Sequence, residues 1–254
     1  MTALSIQSIF ELEVYTMPNE SKPTENNRLS QATENYLLSL YVLGEDGVTT
    51  TASHLAEYLR TLPAGEGLGT SFPTVLSMLR RMVREKLISM GENKEVKLTG
   101  RGFDLAEGMV RRHRLAERMV VDILGLDLHK AHIEAHRLEH AISPDIEIKI
   151  IEKLGNPTTC PFGRPIPGSE YNREVVDRFT LDKGETNVRY CIDRVPEEDA
   201  VLLEFFVEQS ILPDEEITIK DASTSLGVIT IKTRRGEVAI GYNAAGRIWL
   251  RRCI

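Results

Sequence analysis

No stretch of this sequence approaches the ~20 consecutive apolar residues that span a bilayer. Its start also lacks the basic-then-apolar pattern of a secretory leader, so the expectation is a cytoplasmic protein. Cysteine is scarce: Cys160, Cys191 and Cys253 stand far apart and form no C-x-x-C. That indicates neither a disulfide framework nor a zinc finger, and it fits a reducing compartment. There is no H-E-x-x-H and no glycine-framed nucleophile, so two sequence signs of a hydrolase are missing. An overall basic excess is missing too, because the formal net charge is −7, which argues against a wholly basic nucleic-acid binder. No internal repeat is visible, and 254 residues leave room for two or three small domains.

What the sequence does contain is patterned histidine. In LDLHKAHIEAHRLEHA, residues His132, His136, Glu139 and His140 fall at i, i+4, i+7 and i+8, one face of a 3.6-residue helix. Ile133, Leu138, Ala141 and Ile142 take the remaining sides, which would bury the helix. A lone buried histidine is ordinarily a hydrogen-bonded core residue. Three histidines and a glutamate on one stripe are costly to bury unless a cation organises them, the alternative being a solvated histidine-rich face. His113 and Glu117 repeat the i, i+4 spacing on the helical run just before, so two adjacent helices can converge on one cluster. Alone, that pair is a common helix-face contact.

Charge is uneven along the chain. From Ser71 to Arg118 there are eleven basic residues against six acidic ones, a local excess of five that suits phosphate contacts or a helix surface of paired charges.

Taken in order, residues 1–29 read as a flexible extension, with a possible short helix at 3–14. SQATENYLLSLYVLGEDG predicts a helix capped by Ser30 and ended at Gly44 to Gly47. VTTTASHLAEYLRTL predicts a short second helix behind a Thr or Ser cap. A Gly-rich turn at 63–70 precedes a third helix, capped by Thr70 or Ser71 with Pro73 in its first turn. That helix turns Val75, Leu76, Leu79 and Met82 inward, Arg80, Arg81 and Arg84 outward, and runs to Leu87-Ile88. Ile88 to Leu98 reads as a hairpin. Three helices and a hairpin at 30–98 form a winged helix-turn-helix layout, or else simply a small globular unit. A helix of more than 20 residues follows, apolar on more than one face from Phe103 to Ile123, as a dimerisation helix would be. The histidine helix comes next, then a shorter one started by Ser143-Pro144 and stopped by Gly155 and Pro157. These make 99–168 a helical dimerisation and metal-binding domain. A linker at 169–187 leads to five alternating strands and one helix at 188–254, a small barrel rather than an open sheet. The fold class expected is thus mainly α with a small β-barrel.

RRHRLAERMVVDILGL, the spacing H-x-E-A-x-x-x-E-H from His132 to His140, and NPTTCPFGRPIPG together resemble the diphtheria toxin repressor family of metal-dependent transcriptional regulators. The likeness covers Gln31 to about Gly168. The tail is similar to that family's Src-homology-3-like barrel in strand order and in its RIWL ending. By resemblance, His113, Glu117 and His132 stand at one metal site, and Asn35, His136, Glu139 and His140 at the other. Asn35 and His136 depart from both the Met and Cys of iron-dependent members and the Asp and Glu of manganese-dependent ones. The ligand set is therefore all nitrogen and oxygen, which implies Mn(II) or Fe(II). Asn35 is alternatively a mere cap or surface amide. The Gly-rich turn is longer than the short turn expected of a helix-turn-helix, and the functional alternative is that Gly65 to Gly69 reaches phosphates through its backbone.

The function implied is a homodimer that binds double-stranded operator DNA when metal is present, controlling metal-homeostasis genes as a repressor. Arg80, Arg81, Arg84 and Lys94 are the candidate phosphate contacts, while Ser71, Pro73, Thr74 and Ser77 face the bases. No strong base-reading Arg or Gln stands there, so readout leans on thymine methyls and DNA shape. The rivals are a metal-dependent hydrolase with Glu139 as general base, and a metal-buffering protein, which would need neither hairpin nor basic helix.

Overall fold

The computed structural model describes residues 29–62, 69–171 and 177–253. The expected N-terminal extension up to residue 28, most of the Gly-rich turn and part of the linker lie outside these residues.

The first helix, α1 (Gln31–Glu45), is buried on every side from Tyr36 to Leu43 and packs chiefly on α4 (Gly100–Arg118). α2 (Ala52–Tyr58) starts where the Thr51 side chain accepts from the His54 amide. α3 (Phe72–Arg84) starts at Ser71, whose side chain accepts from the Thr74 amide, with Pro73 in the first turn. Each side chain satisfies an amide the helix itself leaves unbonded. Val75, Leu79 and Met82 are buried and Leu76 half-buried. α3 stops at Arg84, short of the expected Leu87-Ile88. Lys86 takes a φ of +57° and the Leu87 amide bonds back to the Met82 carbonyl, a left-handed stop that frees Ile88 to begin a strand.

β1 (Ile88–Met90) and β2 (Val96–Leu98) pair antiparallel, with Ile88 opposite Leu98. The Val96 amide donates to the Thr50 carbonyl, which pins this hairpin to the loop between α1 and α2. Gly102 lets α4 leave the hairpin: a Cβ there would stand 1.8 Å from the Leu87 carbonyl oxygen. α4 continues into a π turn at Met119–Ile123. Met109, Val110 and Leu115 are buried, whereas Phe103, Leu105 and Ile123 are exposed.

α5 (Leu128–Leu138) gives way to a 3-10 turn at Glu139–Ala141. The four-residue stripe therefore spans two kinds of helix. Leu138 packs on the C-terminal core, but Ala141 is exposed, contrary to the expectation that it lies inside, because the change of pitch after Leu138 turns it away. α6 (Pro144–Leu154) runs from Ser143 to Gly155 as expected.

Among the described residues, the rest of the chain is one antiparallel sheet with two α-helices and a 3-10 turn at Leu181–Lys183. Its strands are β3 (Arg178–Thr180), β4 (Arg189–Arg194), β5 (Glu216–Ser223), β6 (Val228–Thr233), β7 (Gly236–Gly241) and β8 (Trp249–Arg252), in the order β3-β8-β4-β5-β6-β7. α7 (Ala200–Gln209) and the short α8 (Tyr242–Ala245) complete it. β3 lies in the stretch expected to be linker. Among the described residues the edge strands β3 and β7 do not pair, so the sheet is open and the closed barrel is not found. Shifts in register at Ile192/Arg194 and Ile219/Asp221 bend it instead. Ile217, Ile219, Ile229, Ile231 and Leu250 form its core with Leu203 and Phe206 of α7, and the core extends to Val120 and to Ala131 of α5.

Cys191 and Cys253 are joined by a disulfide, where the spacing of the cysteines indicates no disulfide framework. Their separation of 62 residues conceals that β4 and β8 are neighbours, with Cys191 opposite Arg251. Cys160 is free and buried.

Candidate metal centre

α4 and α5 pack against each other, and their contact is polar where helix contacts are ordinarily apolar. His113 and Glu117 come from successive turns of α4, His132 and His136 from successive turns of α5, and Glu139 from the turn that follows. None of the five is more than 4% exposed. The rings of His113, His132 and His136 have centroids 4.5–5.0 Å apart. His113 sits at the middle, with Nε2 2.9 Å from Glu117 Oε1 and Nδ1 2.5 Å from Glu139 Oε2. Glu117 Oε1 is also 3.1 Å from His132 Nδ1. Glu139 Oε1 lies 3.4 Å from both His136 Nδ1 and His140 Nε2. The His and Glu members of the two ligand groups expected separately thus form one continuous cluster, with His113 and Glu139 in contact.

A further carboxylate enters from the C-terminal part of the chain. Ligating atoms of Glu117, His132 and Glu197 lie within 4.8 Å of one another. Glu197 follows β4 and is buried.

Burial opposes charge on His113, yet the Glu117 and Glu139 carboxylates on either side hold its pKa well above the ordinary histidine value. Against the same burial, His113 keeps both carboxyls low, Glu139 at about 2. His136 goes the other way. Burial, then the charge of His113, brings it down to about 4. Burial also raises Glu197 and pushes the Cys160 thiol well up, which makes that cysteine a poor source of thiolate.

The residues fit a divalent cation. Glu117 Oε2 and His132 Nε2 are buried and make no hydrogen bond, a state that costs free energy unless something else satisfies them. The donors are imidazole nitrogens and carboxylate oxygens, a set suited to Mn(II) and Fe(II) as well as to tighter-binding zinc.

The cluster also touches α1. His140 Nδ1 is 2.7 Å from Glu34 Oε2, and Arg112 approaches the other oxygen of Glu34 at 3.9 Å. Asn35, the next residue, is buried, and the Ser39 hydroxyl donates to its backbone carbonyl. Glu34 escapes a reading of the sequence because its only mark is to be an acid in a first helical turn, where many acids serve the helix dipole. Ser71, Pro73, Thr74, Ser77, Arg80, Arg81 and Arg84 are exposed along α3, as is Lys94 at the hairpin turn. Arg81 is held by Glu85 at 2.7 Å.

A family model described as the iron dependent repressor metal binding and dimerisation domain matches residues 99–168, which hold all the His and Glu candidates of α4, α5 and the 3-10 turn. A FeoA domain model matches residues 179–252. The iron-dependent repressor IdeR of Mycobacterium leprae (strain TN) is 34% identical over 218 residues, 81% of this chain and 90% of that protein. The chain belongs to the diphtheria toxin repressor family. The diphtheria toxin repressor of Corynebacterium glutamicum is 32% identical over 219 residues, 85% of this chain and 90% of that one. A solved structure described as a manganese-dependent transcriptional repressor in complex with manganese superposes with a TM-score of 0.75 at 28% identity, covering 87% of this chain and 100% of the other. The relatives so matched are described as repressors, which does not favour the hydrolase reading. No helix among the described residues is long and apolar enough to cross a membrane.

Proposed function

We propose that this diphtheria toxin repressor family protein is a metal-responsive transcriptional regulator, a cytoplasmic homodimer that binds operator DNA when Mn(II) or Fe(II) occupies the cluster between α4 and α5. The observation that carries the reading is the burial together of three imidazoles and two carboxylates, with donor atoms left unsatisfied, in contact with the first helix through Glu34. A bound cation supplies the positive charge that lets these carboxylates remain buried. His113, Glu117 and His132 are assigned to one site, with Glu197 as a further carboxylate. Asn35, His136, Glu139 and His140 are assigned to the other.

We assign 30–98 to DNA binding, 99–168 to metal binding and dimerisation, and the sheet from β3 onward, rather than 188–254 alone, to a small Src-homology-3-like domain. The bulges that bend the C-terminal strands support that last reading. Arg80, Arg84 and Lys94 meet phosphates, and Ser71, Pro73, Thr74 and Ser77 face the bases from the start of α3. Support for a dimer comes from Ile123, Leu124, Ile146 and Ile148, apolar side chains exposed on the π turn and on the α6 that packs against it.

The test is a gel shift on duplexes selected from a random pool in the presence of Mn(II), repeated with chelator. Binding that appears only with Mn(II) or Fe(II) supports the reading. Equal affinity in chelator removes it.

A further inference from the structure

Glu45 and Asp46 end α1 at its negative dipole end, where carboxylates are unfavourable, and α1 has no basic residue in its last turn. Arginines from elsewhere hold them. Arg114 of α4, itself 1% exposed, takes both oxygens of Glu45 at 2.6 and 3.3 Å. Arg164 takes both oxygens of Asp46 at 3.0 and 3.1 Å, and its Nη1 is 3.3 Å from Glu45. Arg194 of β4 reaches Asp46 at 3.5 Å while its guanidinium lies 4.7 Å over the Trp249 ring.

Of these three, Arg164 has a second partner inside the metal centre. Its Nε lies 3.3 Å from Glu197 Oε2, an ion pair without hydrogen-bond geometry, and Glu197 belongs with Glu117 and His132. A guanidinium is rigid and planar, so its fork on Asp46 and its Nε at Glu197 cannot be set independently. The loop that carries it is fixed. The Cys160 amide donates to the Arg164 carbonyl and the Val195 amide to that of Phe162. Gly163, at φ +89°, comes so near β4 that a Cβ would stand 1.9 Å from the Asp193 carbonyl oxygen.

We infer that Arg164 is a positioning residue that transmits the charge state of Glu197 in the metal centre to the C-terminal end of α1. The inference rests on the metal-responsive reading above. A cation that neutralises Glu197 weakens its pull on Nε and leaves the guanidinium to Asp46 and Glu45, tightening the hold on α1. The Arg164–Glu197 pair is shielded from water, which strengthens the effect at that end, while Asp46 is exposed.

Hydrogen exchange of the full chain in chelator and in Mn(II), with DNA affinity measured in parallel, tests this. In the wild type, Mn(II) slows exchange both in α5 (128–138) and at the end of α1 (42–48). In R164Q the slowing at 128–138 persists and that at 42–48 is lost, and the ratio of DNA affinities with and without metal falls about tenfold, within the usual span of coupling between sites. D46N has the same effect, and D46N/R164Q is no worse than either. R164K retains the charge and guards against a variant that misfolds, and it too loses the slowing at 42–48. Slowing at 42–48 that survives in R164K or R164Q overturns the inference while leaving metal regulation intact. Absence of slowing anywhere in the wild type overturns both.

Discussion

Oε2 of Glu34, in the first turn of α1, lies 2.7 Å from Nδ1 of His140, 106 residues further along the chain. The contact ties a candidate metal ligand to the first helix, which also touches α2 and β2. Glu34→Gln is expected to weaken metal-dependent operator binding about tenfold, or about 1.4 kcal/mol, and to leave the affinity for Mn(II) much less affected. Fluorescence anisotropy on DNA and calorimetric titration of the metal separate the two effects. An equal loss in both makes Glu34 a ligand rather than a strut.

Without metal, the cluster sets a pH dependence with two limbs. His136 has its pKa depressed to about 4, so between that value and the unfolded 6.5 the unfolded chain binds more protons and stability rises with pH. The limb is worth on the order of 3 kcal/mol, at about 1.4 kcal/mol per pH unit. His113 has its pKa raised. Its stabilisation is full below 6.5 and is lost as pH climbs through the folded value. Urea midpoints in chelator are therefore expected to peak near the unfolded histidine value of about 6.5. His136→Gln should flatten the acid limb alone, and an acid limb unchanged in that variant would show another group to be responsible.

Salt dependence of DNA binding should trace to α3 and the hairpin turn. Each phosphate contact contributes about −0.9 to the slope of log K against log salt. Arg80→Ala, Arg84→Ala and Lys94→Ala should each reduce the slope by about one contact, on specific and random duplexes alike. Arg81→Ala should do less, since Arg81 is engaged by Glu85. Slopes unchanged in the first three variants would put the DNA surface elsewhere.

Asn35 is buried one residue from Glu34. As a ligand it offers a neutral carbonyl, weaker than a carboxylate for a hard cation. Asn35→Ala should then shift activation of DNA binding to higher Mn(II), while metal still fills the site of His113 and Glu117. Asn35→Asp should shift it to lower Mn(II). Activation curves that coincide for all three proteins assign Asn35 to a structural role.

Much of the helical part is legible from capping chemistry alone. Thr51, Ser71 and Ser143 start helices because their side chains accept amides that would otherwise be orphaned, a local interaction that local sequence reveals. The histidine stripe is legible for the same reason, since its spacing is intrahelical up to Leu138. What is hidden is long-range. Glu34 with His140, Arg164 with Asp46 and Glu197, and Cys191 with Cys253 all meet through packing or strand pairing that no spacing records. β3 is three residues long, too short for a period of two to show. Barrel closure depends on whether two sheet edges meet, and nothing in the alternation of the strands specifies that.

His132 offers the most direct test of the buried cluster as a metal site, because its ligating atoms lie close both to those of His113 and His136 and to those of Glu117 and Glu197. Free Mn(II) remaining in solution can be followed by its electron paramagnetic resonance signal as metal is added to chelator-treated wild type and His132→Gln. The wild type is expected to remove Mn(II) from solution with at least about tenfold higher affinity than the variant, since losing even a residue that orients a ligand costs about 10–100-fold. A His132→Gln protein that takes up the same number of ions with wild-type affinity would contradict the assignment of this cluster to metal.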